Sequence, residues 1–134
     1  MLNKNILNLN PAIVCDIISK AKVFHAQEGV TFSEPMPNAE YEYDASQILA
    51  SHKDNLTYLE VKKLIEDLEP DQQIDLLTLF YVGRGDYDVN DWSEARKQAK
   101  DDLMSRLTEY LFSKPLLANY LENALEALGH SCEE

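Results

Sequence analysis

Between Pro11 and Leu128, aliphatic side chains return every third or fourth residue wherever proline and glycine do not interrupt. That spacing restricts the fold more than any motif does. A helix turns once per 3.6 residues, so such a repeat lays the apolar residues on one face, whereas a half-buried strand alternates with period two. Ile13, Val14, Ile17, Ile18, Ala21 and Phe24 form the first stripe, behind an Asn10-Pro11 start that supplies a cap and a helix-compatible proline. Gly29 offers a left-handed stop. Val61, Leu64, Ile65 and Leu68 form a second stripe, opened by a Thr57–Glu60 capping pattern. Pro70 opens a third helix whose residues from Ile74 to Tyr81 are apolar on more than one face, which predicts a central position. A fourth helix is predicted from near Asp91 to about Leu111, with Trp92, Ala95, Ala99, Leu103, Leu107, Tyr110 and Leu111 inward. A fifth follows Pro115, with Leu116, Leu117, Tyr120, Leu121, Ala124, Leu125 and Leu128 on its inner face and Gly129 at its end. Short connections predict that the last three helices pack as an up-down set.

The expected fold is therefore all-α: a compact bundle of about five main helices in one domain over residues 1–134. One long irregular connection is expected near residues 29–46, where Pro35 and Pro37 exclude a helix and Asn38 adds a turn signal. Val30 to Phe32 reads as a brief strand at most, and Asp44 as a cap for a short helix through Ile48 and Leu49.

Charge narrows the functional classes. Against 24 Asp and Glu stand 12 Lys and Arg, a formal net charge of −12. Such a surface repels a phosphate backbone, so no nucleic-acid partner is expected, whereas a basic protein partner would be steered toward it. No run of about eighteen apolar residues exists, so no membrane role is expected. MLNKNILNLNP lacks the long apolar region and cleavage site of a secretory signal, which favours the cytoplasm. Two distant cysteines in a cytosolic chain, Cys15 and Cys132, read as thiols, and the tail carrying His130 and Cys132 as a frayed end. No nucleophile motif is present and the three histidines are scattered, so an enzyme is the less favoured class and no cofactor is expected. A spare apolar stripe would serve a homodimer.

One stretch departs from the helical pattern. YVGRGDYDVNDW, Tyr81 to Trp92, holds two of the four glycines, then three aspartates and an asparagine. As a joint between helices, it places Gly83 where a C-terminal cap wants positive φ. Arg84 then pairs with Asp86 or Asp88, and Asp91 or Asn90 caps the next helix. As a site, Asp86, Asp88 and Asn90 match the first three ligand positions of a helix–loop–helix calcium loop, where carboxylate and amide oxygens converge on a hard cation. The match stops there, because Asp91 stands where a sharp-turn glycine is required and Lys97 where a bidentate glutamate is. These three remain weak metal candidates. The Arg84-Gly85-Asp86 tripeptide and the glycines carry neither an adhesion nor a phosphate-loop function in this setting. Trp92 continues the inward spacing of Ala95 and Ala99, and Tyr87 is free for recognition.

Three segments together resemble a family of small bacterial proteins grouped as domain of unknown function 3775. They are DQQIDLLTLFYVGRGDYD, the following DWSEARKQA, and PLLANYLENALEALGHSCEE, with NPAIVCDIISKAKVF also similar. The resemblance implies no activity, cofactor or catalytic residue. It does imply that the GRGDYD loop and the tail form a signature. Two functional readings follow. One is a non-enzymatic interaction module that uses the acidic surface and Arg84, Asp86, Tyr87, Asp88, Asn90 and Trp92. The other is a small-ligand or divalent-cation site at Arg84, Asp86, Asp88 and Asn90.

Overall fold

The structure, a computed structural model, describes residues 6–27 and 55–132. Among these residues the architecture is all-α and without strands: α1 Pro11–Gln27, α2 Leu56–Glu66, α3 Pro70–Arg84, a 3₁₀ turn Val89–Asp91, α4 Trp92–Asp102, α5 Leu107–Phe112 and α6 Leu117–Ala127. The expected connection at 29–46, its short strand and its short helix lie outside the described residues, as does Gly29.

Helix starts follow side-chain chemistry. Asn10 Oδ1 accepts from the Ala12 amide at 2.9 Å, so Asn10-Pro11 opens α1 as expected. For α2 the cap is Asn55, whose Oδ1 accepts from the Tyr58 amide at 3.0 Å. The Thr57–Glu60 pattern therefore sits inside the helix and caps nothing. Gln72 Oε1 accepts from the Glu69 amide ahead of Pro70 and closes the first turn of α3.

Helix α3 is buried continuously from Ile74 to Val82, on every face, which is why its apolar residues do not confine themselves to one stripe. It packs most extensively on α6 and α4; α1 lies between α6 and α2, and α2 meets α5. The last helices are thus not a simple up-down set: α6 docks on α3 and α1. Phe24, Tyr58 and Phe112 join α1, α2 and α5 through ring contacts of 5.4–5.8 Å. Such pairs contribute about 0.5–1.5 kcal/mol each beyond burial.

The predicted fourth helix is broken. It stops at Asp102, Leu103 is extended (ψ 133°), and a short α5 starts at Leu107. Asp101 and Asp102 put negative charge where the helix dipole is already negative, and Tyr81 Oη and Gln98 Nε2 both bond Asp102 there. Leu116, predicted inward, is exposed at 40%.

Two glycine assignments also change. Gly83 is inside α3, and the left-handed cap is Gly85, with φ 96°. The amides of Gly85 and Asp86 bond back to Val82 and Tyr81 carbonyls. The requirement at Gly83 is space: a Cβ there would lie 1.7 Å from the Tyr120 carbonyl oxygen of α6. Gly129 does end α6 with φ 87°, and the His130 amide reaches the Leu125 carbonyl at 2.8 Å.

The cysteines are a further correction. Cys15 and Cys132 form a disulfide across 117 residues of sequence, so they are not thiols and the chain end through Cys132 is tied to α1. Sequence spacing could not reveal this, because only the docking of α6 on α1 brings the two together.

Candidate functional site

The GRGDYD loop projects where α3, α4 and α6 meet, and its residues divide among three hollows. Arg84, Asp86 and Tyr87 line the first, of about 440 Å³, with Tyr81 of α3, Gln98 and Asp102 of α4, and Tyr110 of α5. Tyr87, Asp88 and Val89 line a second, of about 370 Å³, against Asn123 and Ala127 of α6. Asn90 and Trp92 line a third, of about 660 Å³, together with Ile6, Asn8 and the basic side of α4. The six residues singled out in the sequence are therefore near in chain but face different ways.

Each carboxylate of the loop has its own task. Asp86 Oδ2 accepts from Arg84 at 2.7 Å and 3.0 Å, the pairing the sequence suggested. Asp88 Oδ1 accepts from the Asn90 amide at 2.8 Å, so Asp88 caps the 3₁₀ turn, and Asp91 makes no side-chain cap. Among the described residues no three His, Cys, Asp or Glu side chains are placed to hold a metal ion. Trp92 is buried at 4% exposure, in line with its spacing.

The first hollow has the most developed polar chemistry. Arg84 lies over the Phe80 ring, 4.5 Å from its centroid, which leaves its edge for Asp86. Burial is the largest single influence on Arg84 and opposes its charge, but its hydrogen bonds and charge interactions with Asp86 and Tyr110 together outweigh it and the guanidinium pKa rises. Tyr81 Oη donates to Asp102 Oδ2. Burial pushes the Tyr81 pKa far up, and the bond to Asp102 pushes it further. Tyr81 is accordingly a neutral donor at any ordinary pH. Tyr87 leans on Tyr81, with ring centroids 6.3 Å apart, and stays half-buried at the rim.

An ion pair with a buried carboxylate and a partly exposed arginine was not singled out by the sequence reading. Asp75, in the middle of α3, is fully buried. Its Oδ1 accepts from Arg96 Nε of α4 at 2.8 Å, and its Oδ2 from the Asn8 amide. The bond to Asp75 raises the Arg96 pKa. This pair fixes α4 and the segment before α1 to α3, and so positions the third hollow. Also missed were Tyr81, Asp102 and Tyr110, which come from three helices. Arg96, Lys97 and Lys100 were visible in principle, as cations grouped within one helix of an acidic chain.

Fold and site together define a small all-α protein, with no helix among the described residues long and apolar enough to cross a membrane. Its conspicuous surface features cluster around one glycine-rich corner. The model of the family described as protein of unknown function (DUF3775) matches residues 58–130, and the chain belongs to that family. The matched residues contain the loop and every side chain of the first hollow, but neither α1 nor the two cysteines. No curated protein and no solved structure matches the chain significantly.

Proposed function

We propose that the protein is a non-enzymatic interaction module that holds a basic segment of a protein partner in the tyrosine-lined hollow at the GRGDYD loop. The observation that carries this reading is the convergence of Tyr81, Tyr87 and Tyr110 on one hollow that also contains Asp86 and Asp102. Tyrosines bring large area at low entropy cost and attract cations to their faces. The two carboxylates exceed the single Arg84, so the hollow favours a lysine or arginine. The net charge of −12 draws such a partner in from a distance. The raised Tyr81 pKa speaks against proton transfer there, since a general base works best near the operating pH. A divalent cation at Arg84, Asp86, Asp88 and Asn90 draws no support from side chains that face separate hollows. A cytoplasmic home, expected from the sequence, sits uneasily with the Cys15–Cys132 bond, because disulfides persist mainly in oxidising compartments.

Fluorescence polarisation with a labelled Lys/Arg-rich peptide and a Glu-rich counterpart tests the proposal. The basic peptide should bind saturably and the acidic one should not. Tyr87→Ala and Asp86→Asn should each weaken binding, while Glu60→Gln, the same charge change on exposed α2, should not. Equal losses from Asp86→Asn and Glu60→Gln would reduce the effect to net charge and end the proposal.

A further inference from the structure

The third hollow has the opposite character from the first, and it carries a second and independent reading. Its volume of about 660 Å³ lies within the usual range for small-molecule sites. Ile6, Val89 and the indole of Trp92 give it apolar walls, and Arg96, Lys97 and Lys100 give it charge. No aspartate or glutamate lines it, although the chain has 24 of them.

The two lysines are unusual within this molecule. Lys20, Lys22, Lys62 and Lys63 each lie within 4 Å of a carboxylate. Among the described residues Lys97 and Lys100 have no such neighbour. They stand three apart on α4, hence on one side of the helix, where like charges repel. In a protein with twice as many acids as bases, these two exposed cations give one cavity a locally positive rim. Arg96 cannot play the same part, because Asp75 and Asp71 occupy it. It forms the back wall.

Trp92 supplies the second observation. Its indole Nε1 is buried and has no hydrogen-bond partner among the described residues. A buried donor without an acceptor has lost its bond to water and gained nothing in return. An oxygen of a ligand that reached it would remove that penalty. The first turn of α4 begins at Trp92, so the positive end of the helix dipole lies at the tryptophan end of the hollow, and Lys100 lies in the last turn at the other end.

We infer that this hollow binds a small organic anion, with Lys97 and Lys100 holding a carboxylate or phosphate group and Trp92 packing against an apolar body. Both parts are required: the charge explains the lysines, and the apolar walls explain the size.

Trp92 is the single tryptophan of the chain, so its emission reports this hollow directly. Titrations with hexanoate, hexyl phosphate, hexanol and inorganic phosphate separate the contributions. One of the two hexyl anions should shift the emission saturably, and which of them binds tighter identifies the head group. Hexanol and inorganic phosphate should bind at least tenfold more weakly. Lys97→Gln/Lys100→Gln should weaken the anion at least tenfold, while Lys22→Gln/Lys63→Gln, equal in charge but on α1 and α2, should leave it unchanged. Circular dichroism checks that both variants fold. Equal binding of hexanol would overturn the anion claim, and equal binding of inorganic phosphate the apolar one. An unaffected lysine variant, or no response to any of the four, would overturn the site. None of these results bears on the tyrosine hollow, which has its own charge and its own probe.

Discussion

Adding one methyl group at Gly83 probes how closely α3 and α6 approach. The new Cβ would lie 1.7 Å from the Tyr120 carbonyl oxygen and 2.5 Å from its carbonyl carbon. Ordinary contact is about 3.5–4.0 Å, so the helices must separate by about 1.5–2 Å or tilt. The obstacle is backbone, and no side-chain rotation can relieve it. Nor can α6 retreat freely, because it also packs on α1 and the chain just beyond it is tethered by Cys132. Overpacking of this kind costs about 1–3 kcal/mol and sometimes more. Replacing glycine by alanine inside a helix returns about 1 kcal/mol. With so severe an overlap we expect a net loss of about 2 kcal/mol or more, which for a chain of this size lowers Tm by about 8 °C. Thermal and urea unfolding followed by circular dichroism measure it. Two companions sharpen the result. Gly85→Ala meets nothing within 4 Å but must hold φ 96°, and should cost about 1 kcal/mol. Tyr120→Ala in the Gly83→Ala background should give no rescue, since the clash is with main chain. A Gly83→Ala protein as stable as the wild type, or more so, would refute the close approach.

Three further outcomes are expected. Reducing the disulfide, or changing Cys15 and Cys132 to alanine, opens a loop spanning 117 residues and should cost about 4–5 kcal/mol by chain entropy, read as a lower urea midpoint; an unmoved midpoint would mean the bond does not form. Asp75→Ala leaves the Arg96 guanidinium facing a buried void and should destabilise by about 3 kcal/mol, toward the low end for a broken buried pair because Arg96 keeps Asp71 and some water. At alkaline pH stability should fall: burial raises the Tyr58 pKa to about 12 and that of Tyr81 further still. Both tyrosines keep their protons in the folded state after the unfolded chain has lost them, so their contribution is whole below about pH 10 and declines above it. The slope is at most about 1.4 kcal/mol per pH unit for each. Ultraviolet titration of phenolate checks the sign, with one fewer late-ionising tyrosine in Tyr81→Phe.

How much of this was legible beforehand depends on the range of the interaction. Pro70 as a helix start, the central place of Ile74 to Tyr81, and the inward run of Trp92, Ala95 and Ala99 all follow from spacing along one helix. So does the Arg84–Asp86 pair, whose partners are two residues apart. The loop was marked as a candidate site, and its side chains divide among three hollows, because consecutive residues of a tight turn point in different directions. Asp86 turns to Arg84, Asp88 to its own backbone, and Trp92 into the interior.

The amino-acid order by itself determined that this chain is helical, most of the residues that face inward, and that Asn10-Pro11 and Pro70 start two of the rods. Those are properties of neighbours within about one turn, and periodicity records them directly. Tertiary structure alone decided that Gly83 serves proximity and Gly85 curvature, that a long helix breaks at Asp102, and that Cys15 meets Cys132. It alone gathered three tyrosines in one hollow at the corner and, in another, two lysines with no carboxylate within 4 Å among the described residues. Each of these depends on which helix lies against which, a choice made by the closing of the whole core, and no local pattern along the chain encodes the distance between residues a hundred positions apart.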